Sequence, residues 1–196
     1  MNHLLIYAHP NPESFNHAIV QTILDEFRKA GKELPLRDLY AMNFSPVLTA
    51  TDFSAIQNGS VGNDVAAEQE LIRAADVLIV VYPLWWSGMP AMLKGYIDRV
   101  FSYGFAYEIN ETGGVGLLTG KKVFLVTTTG ASREDYEQLD MYRSFEQTID
   151  SGVFRFSGME VIDHIYYASV PYVTAEDRKT MLEDVCSQVR AKLLSL

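Results

Sequence analysis

Two tryptophans stand side by side in Tyr82-Pro83-Leu84-Trp85-Trp86-Ser87-Gly88-Met89-Pro90, and the chain has no others. They follow the apolar, β-branched run Asp76-Val77-Leu78-Ile79-Val80-Val81, which has the pattern of a strand buried on both faces. Open parallel sheets bind ligands at the carboxyl ends of their strands, so the pair falls where a ligand is expected. Indoles offer large, flat area at low entropic cost, which suits a planar conjugated ligand better than a sugar. The plain alternative is that one ring is core and the other packs on the following helix. Neighbouring side chains diverge, so both rings do not stack on one ligand.

Two further stretches carry chemistry. His9-Pro10-Asn11-Pro12-Glu13-Ser14-Phe15-Asn16 links a strand to a helix start, where free N–H groups favour an anion. Ser14 and Asn16 add donors, and His9 would add a charge-assisted one. Neither a Gly-x-Gly-x-x-Gly motif nor a Walker A motif is present, which leaves hydroxyl-rich phosphate binding or a mere helix cap at Ser14. In Thr127-Thr128-Thr129-Gly130-Ala131-Ser132 the glycine permits close backbone approach. Adjacent N–H groups there would stabilise negative charge; a simple turn is the alternative. The four histidines lack metal-ligand spacing, so no metal is expected. Cys186 lies in a helical pattern and Ser87 outside any Gly-x-Ser-x-Gly elbow, so hydrolase machinery is missing.

The segments that must hold these loops alternate in type. Leu4–Ala8 reads as a short buried strand. Ser14–Ala30 reads as a helix, with Phe15, Ile19, Ile23 and Phe27 on one stripe, Ser14 as N-cap and Gly31 just past its end. Glu33–Leu39 is a weak second strand, followed by a long irregular stretch, Tyr40–Asn63. Val65–Ala75 is a helix, Asp76–Tyr82 the third strand and Pro90–Phe101 a helix. Ser102–Gly120 is a loop with a turn at Thr112-Gly113-Gly114, and Lys122–Thr128 is the fourth strand. Leu139–Ser151 is a helix ending near Gly152, Glu160–Ala168 the fifth strand, and Ala175–Leu194 a last helix capped by Thr174. This alternation predicts an α/β fold with one domain over 1–196. Its core is a doubly wound five-stranded parallel sheet of order 2-1-3-4-5 with helices on both faces, the flavodoxin-like arrangement. In that order strands one, three and four are neighbours, so the three loops converge.

Composition narrows the partners. Hydrophobic residues at 48% and charged residues at 21% are globular values, which argue against disorder. A net charge of -9 excludes a nucleic-acid binder that works by neutralising phosphates. One cysteine among 196 residues makes an intrachain disulfide impossible. No stretch reaches the roughly 18 apolar residues of a membrane span, and Met1-Asn2-His3 begins no basic, apolar leader. The expectation is a cytoplasmic protein.

Several segments together resemble one family. They are Ala8-His9 with Ser14-Phe15-Asn16-His17-Ala18; Asp38-Leu39-Tyr40-Ala41-Met42-Asn43-Phe44-Ser45-Pro46; Ala67-Glu68-Gln69; Tyr82-Pro83-Leu84-Trp85-Trp86; Leu93-Lys94-Gly95-Tyr96-Ile97-Asp98-Arg99-Val100-Phe101; Gly104-Phe105-Ala106-Tyr107; and Thr128-Thr129-Gly130. In this order the chain resembles the flavodoxin-like NAD(P)H:quinone oxidoreductases, the DT-diaphorase group and its bacterial relatives. Those include ancillary subunits of Kef potassium efflux channels and general-stress oxidoreductases. The resemblance implies that His9, Ser14, Phe15 and Asn16 hold a flavin phosphate. It implies that Pro83, Leu84, Trp85 and Trp86 line the isoalloxazine, with Trp86 facing the shared slot, and that Thr128, Thr129 and Gly130 meet the pyrimidine edge. It further implies a ping-pong reaction from NAD(P)H to a quinone, or to an azo or nitro acceptor, in a homodimer with each site at the interface. Tyr40–Asn63 and Ser102–Gly120 would then wall the pocket and the dimer contact.

The chain departs from the pattern after Gly130. Mammalian members carry a second glycine, then a Tyr and, six residues later, a His near the flavin. Here Ala131 replaces the glycine, Tyr136 keeps the Tyr position and Tyr142 stands where the His would be. Tyr136 and Tyr142 are carried over as the catalytic candidates; a phenol of ordinary pKa about 10 donates a hydrogen bond but cannot become cationic. The chain stops straight after its last helix, as FMN-binding bacterial relatives do, so FMN is expected with FAD as the alternative. Two other functions remain: a flavodoxin-like electron carrier, which lacks its Thr-x-Thr-Gly-x-Thr loop here, and a regulatory subunit associated peripherally with a potassium efflux transporter.

Overall fold

The structure, a computed structural model, describes residues 1–111 and 113–196. β1 (His3–Tyr7), β2 (Leu36–Asp38), β3 (Val77–Pro83), β6 (Lys122–Thr128) and β7 (Glu160–Tyr167) form one parallel sheet in spatial order β2-β1-β3-β6-β7. With the separate antiparallel pair β4 (Tyr107–Asn110) and β5 (Gly113–Gly116) set aside, this is the expected 2-1-3-4-5 order.

Alternation of side chains along each strand divides the core in two. Val77, Ile79 and Val81 of β3 and Phe124 and Val126 of β6 pack against α1 (Phe15–Lys29) and α7 (Ala175–Lys192). Leu78, Val80 and Tyr82 of β3 and Val123 and Leu125 of β6 pack against α3 (Asn63–Ala74), α4 (Ala91–Val100) and the segment after residue 140. The α1 stripe Ile19, Ile23 and Phe27 is fully buried, worth roughly 1.5–3 kcal/mol per side chain. Ser14 caps α1 by accepting a hydrogen bond from the His17 N–H at 3.1 Å.

Four segments differ from the sequence reading. The stretch taken as irregular, Tyr40–Asn63, contains α2 (Ala50–Gln57), which starts with a reciprocal cap between Thr49 and Asp52 and buries no residue. The loop Ser102–Gly120 contains the β4–β5 hairpin; of the turn expected at Thr112-Gly113-Gly114, Thr112 lies outside the described residues and both glycines belong to β5. The helix expected over Leu139–Ser151 is two joined pieces, preceded by a separate short helix that the sequence reading did not have. α5 (Arg133–Gln138) ends at Leu139, Asp140 takes a left-handed φ of 50°, and α6 (Met141–Phe145) follows. α6 then widens into a π-helical stretch, Glu146–Arg155, that runs through Gly152 because Ile149 and Phe154 on it are buried. Pro90, expected in the first turn of its helix, occupies the N-cap position instead.

Close packing and a charge cluster seat the Tyr40–Asn63 segment. A Cβ on Gly95 of α4 would stand 2.0 Å from the Pro46 carbonyl oxygen. Nearby, the Arg99 guanidinium donates to Asp52 at 2.9 Å, to Asp64 at 2.6 Å and to the Ser45 carbonyl at 2.9 Å. Those Arg99 bonds hold the Asp52 carboxyl down at about 2.

Ala is the better helix former by about 1 kcal/mol, yet Gly95→Ala is expected to destabilise by about 1–3 kcal/mol because of the overpacking against Pro46. A lower urea midpoint at unchanged m-value checks it. A carboxylate whose folded pKa is depressed stabilises above its unfolded pKa and loses that contribution as pH falls through the folded value. The urea midpoint should therefore drop as pH falls from about 5 toward 2, and Asp52→Asn should flatten that slope; an unchanged slope in the variant would show that the Arg99 cluster does not contribute.

Candidate functional site

The parallel register levels the carboxyl ends of the central strands: Tyr7 pairs with Val81, and Pro83 with Thr128. The loops leaving β1, β3 and β6 meet there around a cleft of ≈ 460 Å³.

The first wall is His9 with Ser14, Phe15 and Asn16 at the start of α1. The first turn of α1 holds no acidic residue, so its free N–H groups and positive dipole end are open to an anion. Asn11 folds the loop: its N–H donates to His9 Nδ1 at 3.0 Å, and its Oδ1 accepts from the Glu13 N–H at 2.8 Å. Burial lowers the His9 pKa, and because Nδ1 accepts from the Asn11 N–H, Nε2 is the ring nitrogen left to donate. Asn16 Nδ2 donates to Thr128 Oγ1 at 2.7 Å, joining two walls, while Asn16 Oδ1 is buried with no partner. A buried amide oxygen left unpaired costs about 1–3 kcal/mol, and a ligand hydroxyl or amide would satisfy it.

The second wall is Pro83, Leu84, Trp85 and Trp86. The Leu84 N–H donates to the Thr128 carbonyl at 2.8 Å, and Trp85 and Gly88 exchange both backbone hydrogen bonds at 3.0 Å. Between them Trp86 and Ser87 have φ of 49° and 59°, the positive pair of a tight type I′ reversal that favours Asn and Gly. A tryptophan held there is strained by about 1–3 kcal/mol. Neither indole is core: Trp85 is 40% exposed, with its ring edge-on to His9 at 5.5 Å, and Trp86 is 103% exposed.

Thr128, Thr129 and Gly130 form the third wall. The Thr129 N–H donates to the Tyr167 carbonyl at 2.9 Å, and a Cβ on Gly130 would meet nothing within 4 Å, so the cleft side of that backbone is open. A fourth wall was missed by sequence reasoning: Val170 and Pro171, after β7. Its signal was a proline just past the last strand, at the same sheet edge.

Tyr136 and Tyr142 do not line the cleft. They pack edge-on against each other at 5.8 Å and against Phe145, and Tyr142 also packs against Tyr166 at 5.0 Å. Burial raises both phenol pKa values, and the Tyr142 hydroxyl is buried without a partner. Among the described residues no cluster of His, Cys, Asp or Glu is arranged to hold a metal ion, and no helix is long and apolar enough to cross a membrane.

Known proteins share this fold. The flavodoxin-like-fold family profile matches residues 1–193. An uncharacterized NAD(P)H oxidoreductase of Haemophilus influenzae is 37% identical over 197 residues, covering 100% of this chain and 98% of that one. The solved NAD(P)H:quinone oxidoreductase of Methanothermobacter marburgensis superposes with a TM-score of 0.85 at 28% identity, over 97% of this chain and 98% of that one. General stress protein 14 of Treponema denticola, solved in complex with FMN, superposes with a TM-score of 0.65 at 25% identity, over 97% of each.

Trp86→Asn removes a strained, fully exposed indole from the type I′ reversal. It is expected to raise the stability of the ligand-free protein by about 0.5–1 kcal/mol while weakening whatever binds the cleft. Paired thermal melts with and without ligand check both halves; a variant less stable in both would show that the turn is unstrained.

Proposed function

The chain belongs to the flavodoxin-like-fold family, and on that footing we propose that it is a flavin-dependent NAD(P)H oxidoreductase that reduces quinones. The observation that carries the reading is the convergence of an anion-ready helix start, a strained tryptophan turn and an open Thr-Gly backbone on one cleft, with Asn16 Oδ1 buried and unpaired.

The residues fit a flavin. The N–H groups at the start of α1, with the His9 ring beside them, would take the phosphate. Asn16, held by Thr128, would accept a hydrogen bond from the ribityl chain. The backbone of Leu84 and Trp85 would bound one side of the ring, and the N–H groups from Thr129 onward would face its pyrimidine edge, where negative charge develops. When bound, the flavin supplies the two-electron chemistry, receiving hydride from NAD(P)H and passing it to the acceptor. The protein contributes position and electrostatics. Trp86, standing clear of the protein at the cleft mouth, would cover whichever planar partner occupies the slot, nicotinamide first and quinone second.

FMN is the flavin proposed. The support is the Treponema denticola relative, which holds FMN on the same fold. A homodimer with the cleft at the interface is proposed as well. Its support is the run of exposed apolar side chains, Val47 and Phe53 near α2 and Tyr103 and Ile109 around the hairpin.

Purified protein is expected to be yellow and to release a cofactor with the mass of FMN. NADH or NADPH should bleach it anaerobically in a stopped-flow instrument, and a quinone should restore the colour. Failure to bind any flavin would overturn the reading. Binding without bleaching would point to a one-electron carrier, and release of FAD would correct the cofactor alone.

A further inference from the structure

The charges of the chain are sorted across the sheet, and the cleft lies on the side that is poor in cations. Helices that join parallel strands begin at the carboxyl edge and end at the amino edge. Carboxylates favour helix starts, and cations favour helix ends. α5 opens with Glu134 and Asp135 just past Gly130, and α7 opens with Glu176 and Asp177 just past Pro171. The last turns of α1, α3 and α7, at the opposite edge, hold Arg28, Lys29, Arg73, Arg190 and Lys192. The start of α1 is kept clear of acid, and in the reading above the flavin phosphate takes that seat.

A second anion finds no such seat. Among the described residues no Lys or Arg lines the cleft. His9 is its one basic side chain, and it stands with the start of α1. Each of the sixteen Lys and Arg residues already has a carboxylate or carbonyl partner. Arg178 reaches a cleft residue, but the atom it meets is the Val170 carbonyl oxygen, at 3.2 Å. The segments that would wall the pocket from a second copy bring no cation either. Residues 40–63 and 102–120 contain no Lys, Arg or His, and they add Asp52, Glu108 and Glu111.

Two more carboxylates flank the first wall. Glu13 directly precedes Ser14 of the cleft and is exposed. Its backbone N–H is bonded to Asn11 Oδ1 at 2.8 Å, so the loop that carries it is folded into place. Asp38, at the end of β2, lines a neighbouring recess of ≈ 350 Å³ that shares His9 with the cleft.

NADH and NADPH deliver the same hydride. They differ at the adenosine ribose, where NADPH carries a phosphate monoester of about −1.5 to −2 charge at neutral pH. With the flavin phosphate on α1, that extra group meets carboxylates and no free cation. We infer that the cleft selects its donor by charge, taking NADH in preference to NADPH, and that Glu13 is a specificity-determining residue. The selection is a repulsion, so it acts on the approach and binding of the donor and leaves the hydride step alone. The net charge of -9 works in the same direction at longer range.

The inference rests on the flavin reading, and the test separates the two. Initial rates with an uncharged quinone are measured on flavin-loaded, wild-type protein over a range of NADH and of NADPH, at low and at high salt. kcat/KM is expected to favour NADH by about tenfold at low salt, with the two kcat values alike. The gap should close as salt screens the carboxylates. Glu13→Lys should raise kcat/KM for NADPH by about threefold and change that for NADH less, with Glu13→Gln in between. A yellow protein that uses NADPH as well as NADH at low salt overturns this inference alone, and so does a preference for NADH that salt leaves unchanged. A donor ratio unaltered in Glu13→Lys overturns the assignment to Glu13. A protein that stays colourless with both FMN and FAD overturns the flavin reading and this with it.

Discussion

Parallel pairing in a fixed register governs this protein. Strands joined through crossover helices must all run the same way, so the loops leaving β1, β3 and β6 leave on the same side of the sheet. Pairing of Tyr7 with Val81, of Val81 with Val126 and of Pro83 with Thr128 brings those exits level. A slip of one residue would move Asn16 out of reach of Thr128 Oγ1 and would exchange the two faces of a strand. The fully buried run of β3, with alternate residues in two different core clusters, makes such a slip prohibitive. The cleft is thus a by-product of core packing, and its precision comes from there.

The same alternation gives adjacent residues different work. Thr128 turns toward α1 and holds Asn16; Thr127, one position earlier, turns to the opposite face and holds His164, whose other ring nitrogen meets Asp150. Two polar systems are therefore set back to back across one strand. Each is anchored on the other side by a helix: the start of α1 for Asn16, and the π-helical stretch for Asp150. The cleft also costs stability, through the unpaired Asn16 oxygen and the left-handed Trp86, and the buried sheet offsets it.

Most of the frame was legible in the sequence because periodicity reports burial. The β3 run, the α1 stripe and the Ser14 and Thr174 caps each had a local signal, and the structure has them in place. α2 had none, since it buries no side chain and is seated by Arg99 from α4. The β4–β5 hairpin was invisible for another reason. Its second strand, Gly113-Gly114-Val115-Gly116, has almost no strand propensity and survives because Gly116 lies against the backbone of Gly158, where a Cβ would come within 2.2 Å. The loops lining the cleft were readable from strand ends and turn residues. The contacts of His164 were not, because Asp150 and Thr127 come to its imidazole only through tertiary packing, and four scattered histidines look alike in a sequence. Tyr136 and Tyr142, placed by resemblance alone, lie among Phe145 and Tyr166 beside that ring.

Both tryptophans of the chain stand at a single spot, the turn from Trp85 to Gly88, and none is in the core. Indole emission from this protein therefore originates entirely at the cleft mouth. It reads the polarity and occupancy of one turn while remaining blind to the packing of the sheet. A fluorescence unfolding curve would follow the loosening of that turn, and only far-ultraviolet or core-tyrosine signals would follow the fold itself. The molecule carries a built-in local dye where most proteins carry a global one.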